Sequence, residues 1–379
     1  MLVALLFLFN CNAHSKNESS HNNEIASNEI VSSKQKIMLA LLLDTSNSMD
    51  GLIEQAKSQL WTIVNELATA KCEDGTAPEV EIALFEYGND GLPSEEGYIR
   101  MVTNLTNDLD LISQNLFGLT TNGGEEYCGH VINSSIKKLN WSDSEADLKL
   151  IFIAGNEPFT QGSMPYAQAC NLAKEKGIVV NTIFCGPFQE GIHTNWKNGA
   201  DMTGGSYMSI EQNQKTVYVS TPYDDKIDKL NDDLNTTYIY YGSQGQSKKE
   251  MQLREDSNAA SYSQANKVKR AISKGSHVYK NSSWDLVDAA EEDESVIEKA
   301  DDNYLPKEMK DMNTEQKKAY VSQQAQKRTE IQKEIQALNI KRKQYIADNQ
   351  PTEENDKMLD KAMLNSIKTV AKTKDLTFE

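Results

Sequence analysis

Ile37-Met38-Leu39-Ala40-Leu41-Leu42-Leu43-Asp44-Thr45-Ser46-Asn47-Ser48-Met49 is the stretch whose reading decides the fold. Seven apolar residues in a row, with no polar alternation, predict a strand buried on both faces, as in a parallel sheet. The run stops at Asp44, and oxygen-bearing side chains recur at alternate positions: Asp44, Ser46 and Ser48. From a tight loop at the strand's carboxyl end, these three can point the same way. One carboxylate and two hydroxyls form half of an oxygen shell for a hard divalent cation. A polar turn capping a helix would use the same residue types. The helix that follows is amphipathic, with Leu52, Ala56, Leu60, Ile63, Val64 and Leu67 on one face.

Working outward, strand and helix alternate as far as Ile210. Val80 to Tyr87 predicts a strand, Tyr98 to Leu105 a short edge strand, and Asp108 to Leu119 a helix. The glycine loop Thr120 to Gly124 leads into a helix carrying Val131, Ile132, Ile136 and Leu139. Leu148 to Ala154 is a second fully apolar strand, followed by a helix through Ala167 and Ala173. Ile178 to Cys185 and a short strand after Met202 complete the pattern. Such alternation predicts an α/β fold, a doubly wound, mostly parallel sheet flanked by helices, with ligands at the carboxyl ends of the strands.

Strand, D-x-S-x-S loop and helix together resemble the first βα unit of a von Willebrand factor A (VWA) domain. In that resemblance the loop is the metal-ion-dependent adhesion site (MIDAS). Three further anchors follow in order: Leu119-Thr120-Thr121-Asn122-Gly123-Gly124-Glu125, Ile151-Phe152-Ile153-Ala154-Gly155-Asn156-Glu157-Pro158, and Thr203-Gly204-Gly205-Ser206-Tyr207. The resemblance implies a metal held by Asp44, Ser46, Ser48, Thr121 and Asn156. Most members carry Asp where Asn156 stands here, so Asp44, and Glu125 if it takes part, supply the anionic groups. The implied ion is Mg²⁺, with Mn²⁺ or Ca²⁺ as alternatives, and the implied partner is a protein offering a carboxylate to its open side. A metal-independent scaffold that docks a partner through the same fold is the alternative expectation.

At 379 residues, with 39 Lys and Arg against 56 Asp and Glu, the chain has a formal charge of −17. That balance argues against a nucleic-acid partner, because phosphate contacts need clustered cations. None of the five His has a metal-ligand spacing such as H-E-x-x-H, and neither G-x-S-x-G nor a phosphate-cradling glycine motif occurs. With no base to activate Ser46 or Ser48, no enzyme is expected. His130, one turn into its helix, reads as a helix-face residue.

The first ten residues form an apolar run too short to span a bilayer, with Cys11 directly after it. This resembles a bacterial lipoprotein signal in which Cys11 is lipidated, giving an exported, membrane-anchored protein of the cell envelope. The expected organisation is signal and lipobox 1–11, tether 12–34, VWA domain 35–213, polar helical extension 214–302 and helical C-terminal region 303–379. Export permits disulfides, and at least one is expected among Cys72, Cys128, Cys170 and Cys185, with three connectivities open. Beyond residue 213, Ile227, Leu230 and Leu234 mark a helix, and Ser243 to Lys274 is a long polar stretch. Thr314 to Asp348 predicts a long helix with Ile331, Ile335, Leu338 and Tyr345 at coiled-coil-like spacing. Met358 to Lys372 predicts a last helix packing back on the domain.

Overall fold

The computed structural model describes residues 34–214, 219–349 and 358–378. Cys11 and the tether up to residue 33 lie outside the described residues. The apolar run is strand β1 (Lys36–Asp44), buried from Ile37 onward. After it come α1 (Asp50–Leu67), the two-residue β2 (Ala70–Lys71), β3 (Glu79–Tyr87), β4 (Ile99–Thr106), α2 (Leu109–Phe117) and α3 (Cys128–Lys138). The alternation continues through β5 (Leu148–Gly155), α4 (Tyr166–Glu175), β6 (Val179–Phe184), α5 (Phe188–His193), α6 (Trp196–Asp201) and β7 (Tyr207–Ser209).

The main sheet has strand order β4-β3-β1-β5-β6-β7. Every pairing is parallel except that of β4, which runs antiparallel at one edge. Along β1 the side chains divide strictly by face. Leu39, Leu41 and Leu43 join one core with Leu52, Leu60 and Val64 of α1 and Ile112 of α2. Ala40 and Leu42 join the other, with Val131, Ile132 and Ile136 of α3, Ala169 of α4 and Trp196 of α6. Helices on both faces are why the central strands read as unbroken apolar runs.

The rest of the chain is helical: α7 (Asp224–Asn235), α8 (Gly245–Tyr262), α9 (Gln264–Lys274), α10 (Leu286–Glu292), α11 (Val296–Lys299), α12 (Thr314–Asn349) and α13 (Leu359–Ala371), closed by β8 (Thr377–Phe378). It shares the first core. Ile227, Leu234, Val268, Ile335 and Ile367 are all buried in the cluster that contains β1 and α1. β8 pairs antiparallel with β2, Phe378 opposite Ala70. Residues from Lys34 onward accordingly form one compact unit. In α12, Ile331, Ile335 and Leu338 are buried within the same molecule, so its coiled-coil-like spacing serves packing on α7 and α9.

The stretch Ser243 to Lys274, within the expected polar helical extension, forms α8 and α9, and it carries buried charges. Arg270 donates to Asp110 at 2.8 Å and Asp256 at 2.6 Å, while Lys274 donates to Asp256 at 3.0 Å. The Arg270 guanidinium also lies 4.7 Å from the Trp61 ring of α1. The expected disulfide is absent among the described residues: Cys72, Cys128, Cys170 and Cys185 are free thiols, the last three buried. Burial pushes Cys170 up to about 12 and Cys128 and Cys185 well above the usual thiol range, so they stay protonated as small apolar fillers.

Candidate metal centre

Parallel pairing brings three strand ends to one edge. Asp44 ends β1 opposite Tyr87 of β3, and β5 ends beside them at Gly155. The loops that leave these ends carry the oxygen-bearing side chains. The backbone N–H of Ser46 donates to Asp44 Oδ1 at 2.8 Å, an Asx turn that folds the loop back on the strand end. The Ser46 and Ser48 hydroxyls lie 3.3 Å apart. The amide of Asn156, from the loop after β5, donates to Ser48 Oγ at 3.2 Å. Asp44, Ser46, Ser48 and Asn156 are therefore linked in a chain of neighbouring contacts at this edge.

Thr121 is close but differently engaged. Its loop is tied to the first, with Asn122 N–H donating to the Thr45 carbonyl at 2.9 Å. Its hydroxyl, however, donates to Asp50 at the start of α1. The glycine loop thus brings Thr121 beside the site without joining it to the other four.

The space around Asp44 is kept by missing side chains. A Cβ on Gly155 would lie 2.5 Å from the Tyr87 hydroxyl and 2.9 Å from Asp44 Oδ2. A Cβ on Gly88, whose φ is +76°, would lie 2.9 Å from Asp44 Oδ1. Asp44 is fully buried, and its Oδ2 has no hydrogen-bond partner. An orphaned carboxylate oxygen in a dry site is costly unless a cation or proton meets it. Burial pushes the Asp44 carboxyl up to about 8; the Ser46 N–H opposes this, and the charges of Glu126 and Glu157 add to it.

Glu126 is the residue the sequence did not single out. Between the two acids that follow Gly124, Glu125 is exposed and accepts from the Gln161 amide at 3.3 Å. Glu126 is buried, and burial with repulsion from Glu157 and Glu125 pushes its carboxyl up to about 7. The loop turns before α3 begins at Cys128, so helical phase could not tell the two apart. His130 faces Ser163 at 3.3 Å and stacks on Tyr127.

The donor set fits a hard cation: one buried carboxylate with a free oxygen, two hydroxyls and an amide oxygen, at a strand-end edge. The ion would be held by Asp44, Ser46, Ser48 and Asn156, where it would supply Lewis acidity.

No family model and no curated protein matches the sequence. Solved structures do align with it. BatB from Bacteroides thetaiotaomicron is 16% identical, covering 46% of this chain and 90% of its own, with a TM-score of 0.36. The SpRpn10 VWA domain is 16% identical over 48% of this chain and 99% of its own, TM-score 0.34. Proximal thread matrix protein 1 from the mussel byssus, with a zinc-occupied MIDAS motif, is 13% identical over 46% of this chain and 42% of its own, TM-score 0.33.

The fold is VWA-like. Strand order, the antiparallel edge and the placement of the loops carry that statement, and likenesses at these identities carry no function with them. The VWA-like sheet here also differs from a bare sheet-and-helix domain. Asn181 of β6 accepts from the Ser206 N–H at 2.9 Å and from the Ser366 hydroxyl of α13 at 2.6 Å. The closing T-G-G-S-Y turn and the C-terminal helix are thereby joined at one buried amide.

Proposed function

We propose that this protein binds a divalent cation, Mg²⁺ first, through Asp44, Ser46, Ser48 and Asn156, with Thr121 adjacent. Through the open side of that ion it holds a protein ligand by a carboxylate. The observation that supports this most is the buried Asp44 Oδ2, which has no partner although hydroxyls and an amide converge beside it. Ser46 and Ser48 bond to each other and toward Asn156, an arrangement suited to holding an ion and not to activating a nucleophile. Calorimetric titration with Mg²⁺ and Mn²⁺ tests it. Asp44→Ala should abolish the heat of binding and Ser48→Ala only weaken it, since contacts from a charged group are worth about twice those from a neutral one.

The alternative, a metal-independent scaffold, has one observation in its favour: the Thr121 hydroxyl is already engaged by Asp50. No heat in the wild type, restored by Asn156→Asp, would favour it.

We also propose export with lipid attachment at Cys11, motivated by the apolar run that ends at that residue. Among the described residues no helix is long and apolar enough to cross a membrane. Cys11→Ser should move the protein from the membrane to the soluble fraction. A wild type that is already soluble when expressed from its native start would sink the idea.

A further inference from the structure

We propose that Glu126 is the second anionic ligand of the cation site, supplying from the Gly123-Gly124 loop the charge that Asn156 leaves out. This rests on the cation reading above. The two carboxyls approach across Gly88. A single methyl there would lie 2.8 Å from Glu126 Cγ and 2.9 Å from Asp44 Oδ1, so one small volume touches both side chains. Glu126 is held in this place by its own backbone, whose N–H donates to the Gln161 side chain at 3.0 Å. Gly124 fixes the same turn, because a Cβ there would lie 2.4 Å from the Gly88 carbonyl oxygen.

Two buried carboxyls side by side repel unless a cation lies between them. Among the described residues, neither Asp44 nor Glu126 forms an ion pair with Lys, Arg or His. The second pointer to a ligand is the other oxygen of the same carboxylate: the fully buried Asp44 Oδ2, on the Gly155 side, has no hydrogen-bond partner. A divalent ion bound by both carboxylates satisfies every one of these groups. It also restores the charge count at the site. With Asp44 and Glu126 both ionised the protein neutralises the ion, which then tolerates a neutral amide at Asn156.

The test is calorimetric titration of the full chain with MgCl₂ and with MnCl₂. Glu126→Gln should weaken binding at least about tenfold, the scale of a lost charged contact. Glu125→Gln, one residue earlier but exposed, should bind like the wild type. Adding Asn156→Asp to Glu126→Gln should recover affinity, because it returns a carboxylate to the same ion from the neighbouring loop. Should Glu126→Gln fail to fold, as judged by a melt in chelator, Glu126→Asp retains the charge on a shorter arm and should also weaken binding. Unchanged affinity in Glu126→Gln, while Asp44→Ala abolishes it, would overturn the role of Glu126 and leave the cation site standing. A wild type that binds neither ion would overturn both.

Discussion

Asp44 and Glu126 are two acids whose protons are bound more tightly in the folded chain than in the unfolded one. Burial raises Asp44 from an ordinary 3.8 to about 8, and Glu126 from 4.5 to about 7. Between those limits the folded state carries more protons than the unfolded state. Stability in chelator should therefore be full below pH 4 as far as these two groups go. It should fall as the pH climbs toward 8, where the folded protein must finally ionise them. Divalent ions act in the opposite sense, since they bind the ionised form and should stabilise most near pH 8. Thermal melts from pH 5 to 8.5, with and without Mg²⁺, make both slopes visible. Asp44→Asn removes the larger contribution, so its melting temperature in chelator should vary less with pH than that of the wild type. Parallel slopes for the two proteins would mean that Asp44 is not the group responsible.

At the scale of the element, the helices beyond β7 are held by charges placed where apolar residues are usual. Arg328 of α12 is buried. It donates to Asp285 and Asp288 at 2.6 Å each and to the Thr237 carbonyl at 2.7 Å, and its guanidinium stacks 4.0 Å from the Tyr238 ring centre. Removing it strands two buried carboxylates. Arg328→Ala should cost roughly 3–5 kcal/mol by urea unfolding, and Arg328→Lys, which loses the planar fork, should recover only part. A loss below about 1 kcal/mol would show that water reaches the acids freely. The same design explains what was legible in the sequence and what was not. β1, β3, β5 and β6, and the faces of α1 and α3, follow from apolar periodicity, because one side chain after another meets the same core. The Ser243 to Lys274 stretch read as part of a polar helical extension but its burial did not, since Arg270, Lys274, Glu255 and Asp256 look solvated in sequence yet are buried. Arg270 and Lys274 pair with Asp256 nearby, and Arg270 also with Asp110, far away in α2, which no local pattern announces. Likewise, D-x-S-x-S announced itself by spacing, and Asn156 only by the resemblance to the VWA pattern. Glu126 is distinguished from Glu125 only by a turn that no local pattern specifies, and Thr121 is diverted by Asp50, a residue of the adjoining helix. The four cysteines that follow Cys11, even in number, suggested bridges where the fold uses thiols as filling.

At the scale of the whole molecule, the sheet and the helical region depend on each other more than the division at residue 213 implied. α13 lies against α1. The Leu359 N–H donates to the Gln55 side chain at 3.2 Å and the Asp360 N–H to Gln59 at 2.7 Å, while Ser366 reaches Asn181 in the sheet. Gln55 in turn donates to the Glu211 carbonyl at 2.7 Å, and the Gln212 amide donates to the Ser48 carbonyl at 3.0 Å. The last helix is thus two side chains away from the D-x-S-x-S loop. Leu359, Met363 and Ile367 are each buried to within 2%. Such side chains contribute about 1.5–3 kcal/mol apiece. Together they approach the net stability of a whole domain, about 5–15 kcal/mol. A chain ending at residue 357 should therefore lose its folded state, and residues 35–213 alone should be molten or insoluble, with α1 uncovered. The full-length protein should unfold in a single calorimetric transition whose van't Hoff and calorimetric enthalpies agree. Two separated transitions, or a 35–213 fragment melting where the full chain does, would show instead that the sheet folds by itself. The helices would then be an appended layer, free to leave the D-x-S-x-S loop untouched.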